Sequence, residues 1–371
     1  MLPYRVLVIG GYGFFGRRLT ERLSHHAGLH IIAAGRSSAK GKALIESLSH
    51  SALSQVSSAT FDAASPNLAR ELAAIAPHVV VYASGPFQGQ DYTVARACIS
   101  IGAHYIDLAD ARDFVANIGC LDAVAAATGI AVISGASSVP ALSSTVADHL
   151  AQGLERVETI DVGISPGNRT ERGLATVKAI LSYCGKPLPR VGVATSFGWS
   201  GSHAHQYPSP VGSRLLSPCD VPDLVLLPAR YPGRPSVRFG AGLELTFLHR
   251  GMNAMALLAR VGIVSNWSRY AVLLKRVADC FMCFGSDRGA MHVTVTGETA
   301  VGEPRTRTWH LVATAGDGPY VPTLAAAALV RKLQSNKLPF IGARPCVGLL
   351  TLEEFAQETH GLNIKMTEGS V

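Results

Sequence analysis

The densest chemical signal in the chain is a run of glycines near its start, Gly11-Tyr12-Gly13-Phe14-Phe15-Gly16, directly after the β-branched stretch Arg5–Ile9. In such a GxGxxG run the first glycine makes a tight turn, the second lets backbone approach a pyrophosphate, and the third lets a helix pack closely on a strand. The helix that follows offers unpaired N–H groups and the positive end of its dipole, both suited to phosphate. The spacing alone is a weak signal. Placed after the first strand of a strand–helix series it predicts a dinucleotide site, with Tyr12, Phe14 and Phe15 carried in the turn.

The second strand, His30–Ala34, runs into Gly35-Arg36-Ser37 and then Lys40. A site for NAD usually has a carboxylate here to hold the ribose 2′-hydroxyl. Arg36 stands there instead, and a guanidinium can bind a 2′-phosphate and stack on adenine, so NADP(H) is expected, with Ser37 and Lys40 beside it. A solvated arginine in a turn is the competing reading. Asp62, after the third strand, either accepts from the adenine amino group or caps the next helix. Ser84-Gly85-Pro86-Phe87 brings small and then rigid backbone to the carboxyl edge of the fourth strand, where a nicotinamide ribose would lie, unless it is an ordinary turn.

A hydride transfer also needs a proton source. Asp107 and Asp110, near Tyr105 at the carboxyl edge of the fifth strand, are the candidate acid/base pair, because two nearby carboxylates raise one another's proton affinity. Against this stand a helix cap for Asp110 and a buried structural hydrogen bond for Asp107. Arg112 could hold a substrate carboxylate or simply lie on a surface helix. His203 and His205 resemble half of a metal site, but no third ligand is in evidence, so they read as loop and no metal is expected. Cys280 and Cys283 form a CxxC without a second pair and read as core packing.

The elements that must position these groups follow from periodicity. From Arg5 to about Ser134, short apolar runs such as Val79-Val80-Val81 alternate with helical stretches, the pattern of a doubly wound parallel sheet covered on both faces. After Pro140 the period becomes two, at residues 157–164, 237–248, 291–297 and 306–314, as in a sheet covered on one face. The stretches Arg172–Tyr183, Asn253–Val264 and Ser268–Phe284 read as helices that pack on that sheet or form a subunit contact. Nine of the twenty prolines fall between residues 187 and 235, which predicts a surface excursion or lid. The fold class is therefore α/β: a Rossmann-type parallel sheet over residues 1–140, then an α+β mixed or antiparallel sheet domain over 141–320. A helical segment, 321–371, closes against the first domain.

Composition narrows the class. With 48% apolar and 16% charged residues the chain is globular rather than disordered. Its net charge of +7 is carried by scattered residues, not a stripe, so no nucleic-acid partner is expected. Seven cysteines without framework spacing suit a reducing, cytoplasmic setting. Prolines and glycines break the uncharged stretches, so no membrane span is expected.

Three segments, VLVIGGYGFFGRRL, VVVYASGPFQGQDYTVARACISIGAHYIDLAD and GIAVISGASSVPALSS, together resemble the saccharopine dehydrogenase-like NADP-binding oxidoreductases. DVPDLVLLPARYPG and DGPYVPTLAAAALVRKL look like the substrate domain and closing helix of an uncharacterised branch. The resemblance implies a Rossmann domain, a mixed-sheet second domain that dimerises, and hydride transfer with NADP(H) to or from a C=N or C=O group of a small substrate. Gly135-Ala136-Ser137-Ser138-Val139-Pro140 departs from the glycine-rich turn of many relatives, so saccharopine specificity does not carry over. Two further readings are an enoyl or keto reductase for an apolar substrate and a non-catalytic NADP(H)-binding sensor.

Overall fold

The computed structural model describes residues 3–188, 196–338 and 340–370. They divide into two compact units, one made of the chain up to Ala141 with Tyr320–Glu358, the other of Leu142–Pro319 with the residues from Thr359.

The first unit alternates β1 (Tyr4–Ile9), α1 (Phe14–Ser24), β2 (Leu29–Gly35), α2 (Ser38–Leu48), β3 (Gln55–Thr60), α3 (Leu68–Ile75), β4 (Val79–Tyr82), α4 (Thr93–Ser100), β5 (His104–Asp107), α5 (Arg112–Ala116), α6 (Asp122–Ala127) and β6 (Ala131–Ser134). Residues 79–82 and 131–134 are buried without a break, which is why these strands show no alternation. The sheet order 6-5-4-1-2-3 is parallel throughout and reverses direction at β1, so the carboxyl ends of β1 and β4 flank a crevice.

The second unit continues with α7 (Ser143–Leu150), β7 (Arg156–Ser165), α8 (Leu174–Ser182) and a small ribbon of β8 (Pro187–Leu188) and β9 (Ser196–Phe197). There follow β10 (His203–Tyr207), β11 (Gly212–Pro218), α9 (Asp223–Arg230), β12 (Ser236–Ala241), α10 (Thr246–Arg260), α11 (Ala271–Asp279), β13 (Gly289–Glu298) and β14 (Pro304–Ala313). Its sheet is mixed, with β12 parallel to β7 and the long hairpin β13–β14 antiparallel beside it.

The segment 187–235 is not the irregular excursion that its prolines suggest. It holds the β10–β11 hairpin and α9, although residues 189–195 lie outside the described residues. The expected strand 237–248 also stops early, at Ala241, and α10 begins at Thr246.

The chain then returns to the first unit as α12 (Val321–Gln334), β15 (Gly342–Pro345) and α13 (Leu352–Glu358), and β15 adds a parallel strand outside β6. The run Ala325–Ala328 is completely or almost completely buried, its small side chains letting α12 lie close to its neighbours. Tyr320 ties its start to α1 by donating to Glu21 at 2.8 Å. The last residues depart from the expected single closing segment. They form β16 (Ile364–Ser370), paired antiparallel with β14 in the second unit's sheet.

Candidate dinucleotide site

In the first unit the β1–α1 turn is built by four glycines rather than three. Gly10, at φ +82°, is the residue that needs left-handed backbone, and a Cβ there would lie 2.4 Å from Ser84 Oγ. The turn task assigned to Gly11 therefore belongs to its neighbour. Gly11 serves packing instead, since its Cβ would sit 2.8 Å from Ala33 Cα. Gly13 is exposed and caps α1 without any side-chain bond, which leaves the first N–H groups of the helix facing outward. At Gly16 a Cβ would come within 1.9 Å of the Gly10 carbonyl oxygen, so no larger residue permits this approach of helix to turn. Of the aromatic turn residues, Phe14 and Phe15 pack edge to face at 4.7 Å, and the Arg18 guanidinium lies 4.3 Å from the Phe14 ring centre.

A cavity of about 860 Å³ opens beside this turn. Tyr12, Gly13, Arg36, Ser37, Lys40, Asp62, Ser84 and Gly85 line it, whereas Gly11, Phe14, Phe15, Gly16, Pro86 and Phe87 do not. Phe87 is only 4% exposed and packs between Tyr82 and Phe114, so it is a core residue.

The corner that follows β2 is held from below by Tyr12. Its hydroxyl accepts from the Ser37 N–H at 2.6 Å, and a Cβ on Gly35 would fall 2.5 Å from the same oxygen. Ser37 Oγ in turn caps α2 by accepting from the Lys40 N–H at 3.4 Å. Arg36 is exposed on the cavity rim, and a helix N-terminus and Lys40 stand next to it. This cluster of positive groups suits a dianionic phosphate. Asp62 Oδ1 accepts from the Ala64 N–H at 3.1 Å; α3 starts later with Asn67 at its cap, so Asp62 does not cap that helix.

Sequence reasoning passed over Gln90, which organises the far wall. It accepts from the Tyr82 hydroxyl at 2.9 Å and donates to the carbonyls of Ser84 at 3.2 Å and Pro86 at 2.6 Å, fixing the loop after β4. Its signal was an amide side chain a few residues after a strand end. Gly10 had a clearer signal, the Gly-Gly doublet.

Asp107 and Asp110 lie outside the cavity lining. The Asp107 carboxylate is fully buried and accepts from the N–H groups of Ala109 at 3.0 Å and Gly135 at 2.8 Å and from Ser134 Oγ at 3.0 Å. It thereby joins the ends of β5 and β6. Burial pushes it up to about 6, partly offset by those hydrogen bonds. Asp110 accepts from Gln88 Nε2 at 3.4 Å, and the α5 cap position is Ala111, not Asp110. Arg112 pairs with the adjacent Asp113 at 2.9 Å.

Two further expectations change in the second unit. His203 and His205 are on β10 rather than in a loop, and His205 stacks on His292 at 3.6 Å while its Nε2 faces His310 Nε2 at 3.1 Å. Among the described residues no group of three or more His, Cys, Asp or Glu is arranged to hold a metal ion. Cys280 and Cys283 are exposed, so they do not pack in the core. The described residues include no helix long and apolar enough to cross a membrane.

Residues 6–149 match the family model described as "Saccharopine dehydrogenase NADP binding domain". No curated protein matches the chain in sequence. Among solved structures, apo histidine-tagged saccharopine dehydrogenase (L-Glu forming) from Saccharomyces cerevisiae is similar at a TM-score of 0.68 and 14% identity, over 99% of this chain and 100% of that one. The amine dehydrogenase of Mycobacterium smegmatis aligns at a TM-score of 0.48 and 12% identity, over 92% of this chain and 94% of that one. At such identity the first likeness establishes a common fold, and the family model adds the cofactor, NADP(H), which the glycine turn and the Arg36 corner fit. Residues 6–149 are thus similar to the NADP-binding domain of the saccharopine dehydrogenase family.

Proposed function

We propose that this protein is an NADP(H)-dependent oxidoreductase acting on a C=N or C=O group of a small substrate. The observation that carries the reading is the cavity beside the β1–α1 turn, with Arg36, Ser37 and Lys40 where an NAD site would have a carboxylate. When bound, NADP(H) supplies or takes up the hydride. The chain's own groups do the rest. The Gly10–Gly13 turn and the first N–H groups of α1 bind the pyrophosphate. Arg36 and Lys40 bind the 2′-phosphate, Asp62 lies beside the adenine, and the loop at Ser84 and Gly85, braced by Gln90, orients the nicotinamide ribose. Asp107 and Asp110 are the groups proposed to hold or move the proton, Asp107 having its proton affinity raised by burial.

A second reading, NADP(H) binding without turnover, is favoured by one observation: neither aspartate lines the cavity. Screening imines, ketones and enones for NADPH oxidation separates the two. Turnover that falls at least a hundredfold in Asp107→Asn or Asp110→Asn supports the first. Tight NADPH binding with no turnover on any class supports the second. The enoyl or keto reductase reading rested on apolar helices at 253–284, and many of those side chains face solvent.

A further inference from the structure

Single exposed apolar side chains are ordinary on protein surfaces, but contiguous ones are not. Among the described residues, nine of the fourteen large apolar side chains that are exposed lie between Phe247 and Phe284. They belong to one stretch of chain, made of α10, α11 and the segments that adjoin them. Phe247 on α10 meets Phe281, just past the end of α11, at 5.0 Å, and Trp267, in the connection between the helices, donates its indole N–H to the Met255 carbonyl of α10 at 2.8 Å. On α11 the exposed residues Leu273 and Val277 are four apart and share a face, Tyr270 stands just before the helix, and Phe284 is exposed beyond its end. The connection between the helices is the most exposed part, with Val261 at 61% and Ile263 at 69%.

The fully exposed charges on this surface are basic. Arg250, Arg260, Arg269 and Arg276 are exposed, whereas residues 246–288, all of them described, contain no exposed carboxylate. Asp279, the acidic residue of α11, is held by Lys275 at 2.6 Å. A second copy docking here about a two-fold axis would bring arginines against arginines with no carboxylate to neutralise them. An anionic bilayer meets both features, since its headgroups pair with the arginines while its acyl region receives the exposed apolar side chains and the Val261–Val264 connection. Tyr270, with an apolar body and a polar edge, suits the headgroup level. From these exposed side chains we infer that the stretch from α10 to α11 seats the protein peripherally on an anionic membrane surface, with the connection at Val261–Val264 embedded and no span.

Co-sedimentation of the full chain with phosphatidylcholine vesicles, with and without phosphatidylglycerol, tests this. Binding to the anionic vesicles that weakens as salt rises is expected, as is a loss of roughly thirtyfold in affinity in the double variant Arg269→Gln, Arg276→Gln. Ile263→Asp should abolish sedimentation. Because all three positions are exposed, melting temperatures within a few degrees of the parent should show that the variants fold. Failure to bind anionic vesicles, or binding that both variants leave unchanged, would overturn the inference. So would a concentration-dependent dimer that Leu273→Asp dissociates in a protein that ignores vesicles, since the surface would then belong to a second copy.

Discussion

Replacing Arg36 with Glu changes the sign of charge at the one corner that should distinguish the two nicotinamide cofactors. Arg36 is on the cavity rim beside Lys40 and the α2 N-terminus, and Tyr12 holds the backbone of that corner through Ser37. Losing a charge-assisted contact to the 2′-phosphate costs about 2 kcal/mol, the middle of the usual range for hydrogen bonds to charged groups. Substituting repulsion for attraction at a well-solvated rim adds about 1 kcal/mol. The sum, about 3 kcal/mol, is a loss of roughly 150-fold in NADPH affinity. NADH has no phosphate at that position, so its affinity should move less than about threefold. Titration calorimetry of both variants with both cofactors measures the four constants. Equal losses for NADPH and NADH would refute the reasoning, because they would show that the corner supports the fold and not the phosphate.

Gly10→Ala should cost about 1–2 kcal/mol of stability for the left-handed backbone alone and displace Ser84, abolishing cofactor binding, which a thermal melt with and without NADPH would reveal. A variant that still gains stability from NADPH would mean the turn tolerates a Cβ. In the second unit, burial and then His292 and His310 lower His205 to about 3, with Asp161 opposing; burial and then Arg250 and His203 lower His249 to about 4. The unfolded chain therefore takes up protons first, and stability should fall as pH drops from the ordinary histidine value near 6.5. At about pH 5 the two should together cost roughly 2 kcal/mol after allowance for solvent screening, and His205→Gln should flatten the denaturation profile between about pH 6.5 and pH 4. Asp107→Ala should destabilise by about 1–3 kcal/mol by leaving three donors around a buried carboxylate unpaired, whereas Asp107→Asn should lose less; urea melts at neutral pH decide, and equal losses would contradict the hydrogen-bond account.

Much of the first unit was legible in the residues because its physics is local. Consecutive apolar residues mark strands buried on both faces, and Gly-rich spacing marks a helix that must approach a strand. The Arg36 corner was legible too, since a strand end fixes where a side chain emerges. What stayed hidden depends on contacts distant in sequence. That Gly10 leaves no room for a Cβ is decided in part by Ser84, more than seventy positions away. Asp107 looked like half of a carboxylate pair because Asp110 is close in sequence, yet its surroundings come from Ser134 and Gly135 on the next strand. The prolines at 187–235 suggested irregular chain, but those at 208 and 210 stand in the connection between β10 and β11, where a hairpin accepts them. Likewise β16 gives no notice of itself, because its place beside β14 is a tertiary pairing that its own sequence does not encode.

A structure of the protein with NADPH bound tests the central claim most directly. The account predicts the pyrophosphate against the backbone of Gly10–Gly13 and the 2′-phosphate within hydrogen-bond distance of Arg36, with the nicotinamide ribose beside Ser84 and Gly85. NADPH bound elsewhere, or bound here with its 2′-phosphate turned away from Arg36 and Lys40, would contradict it.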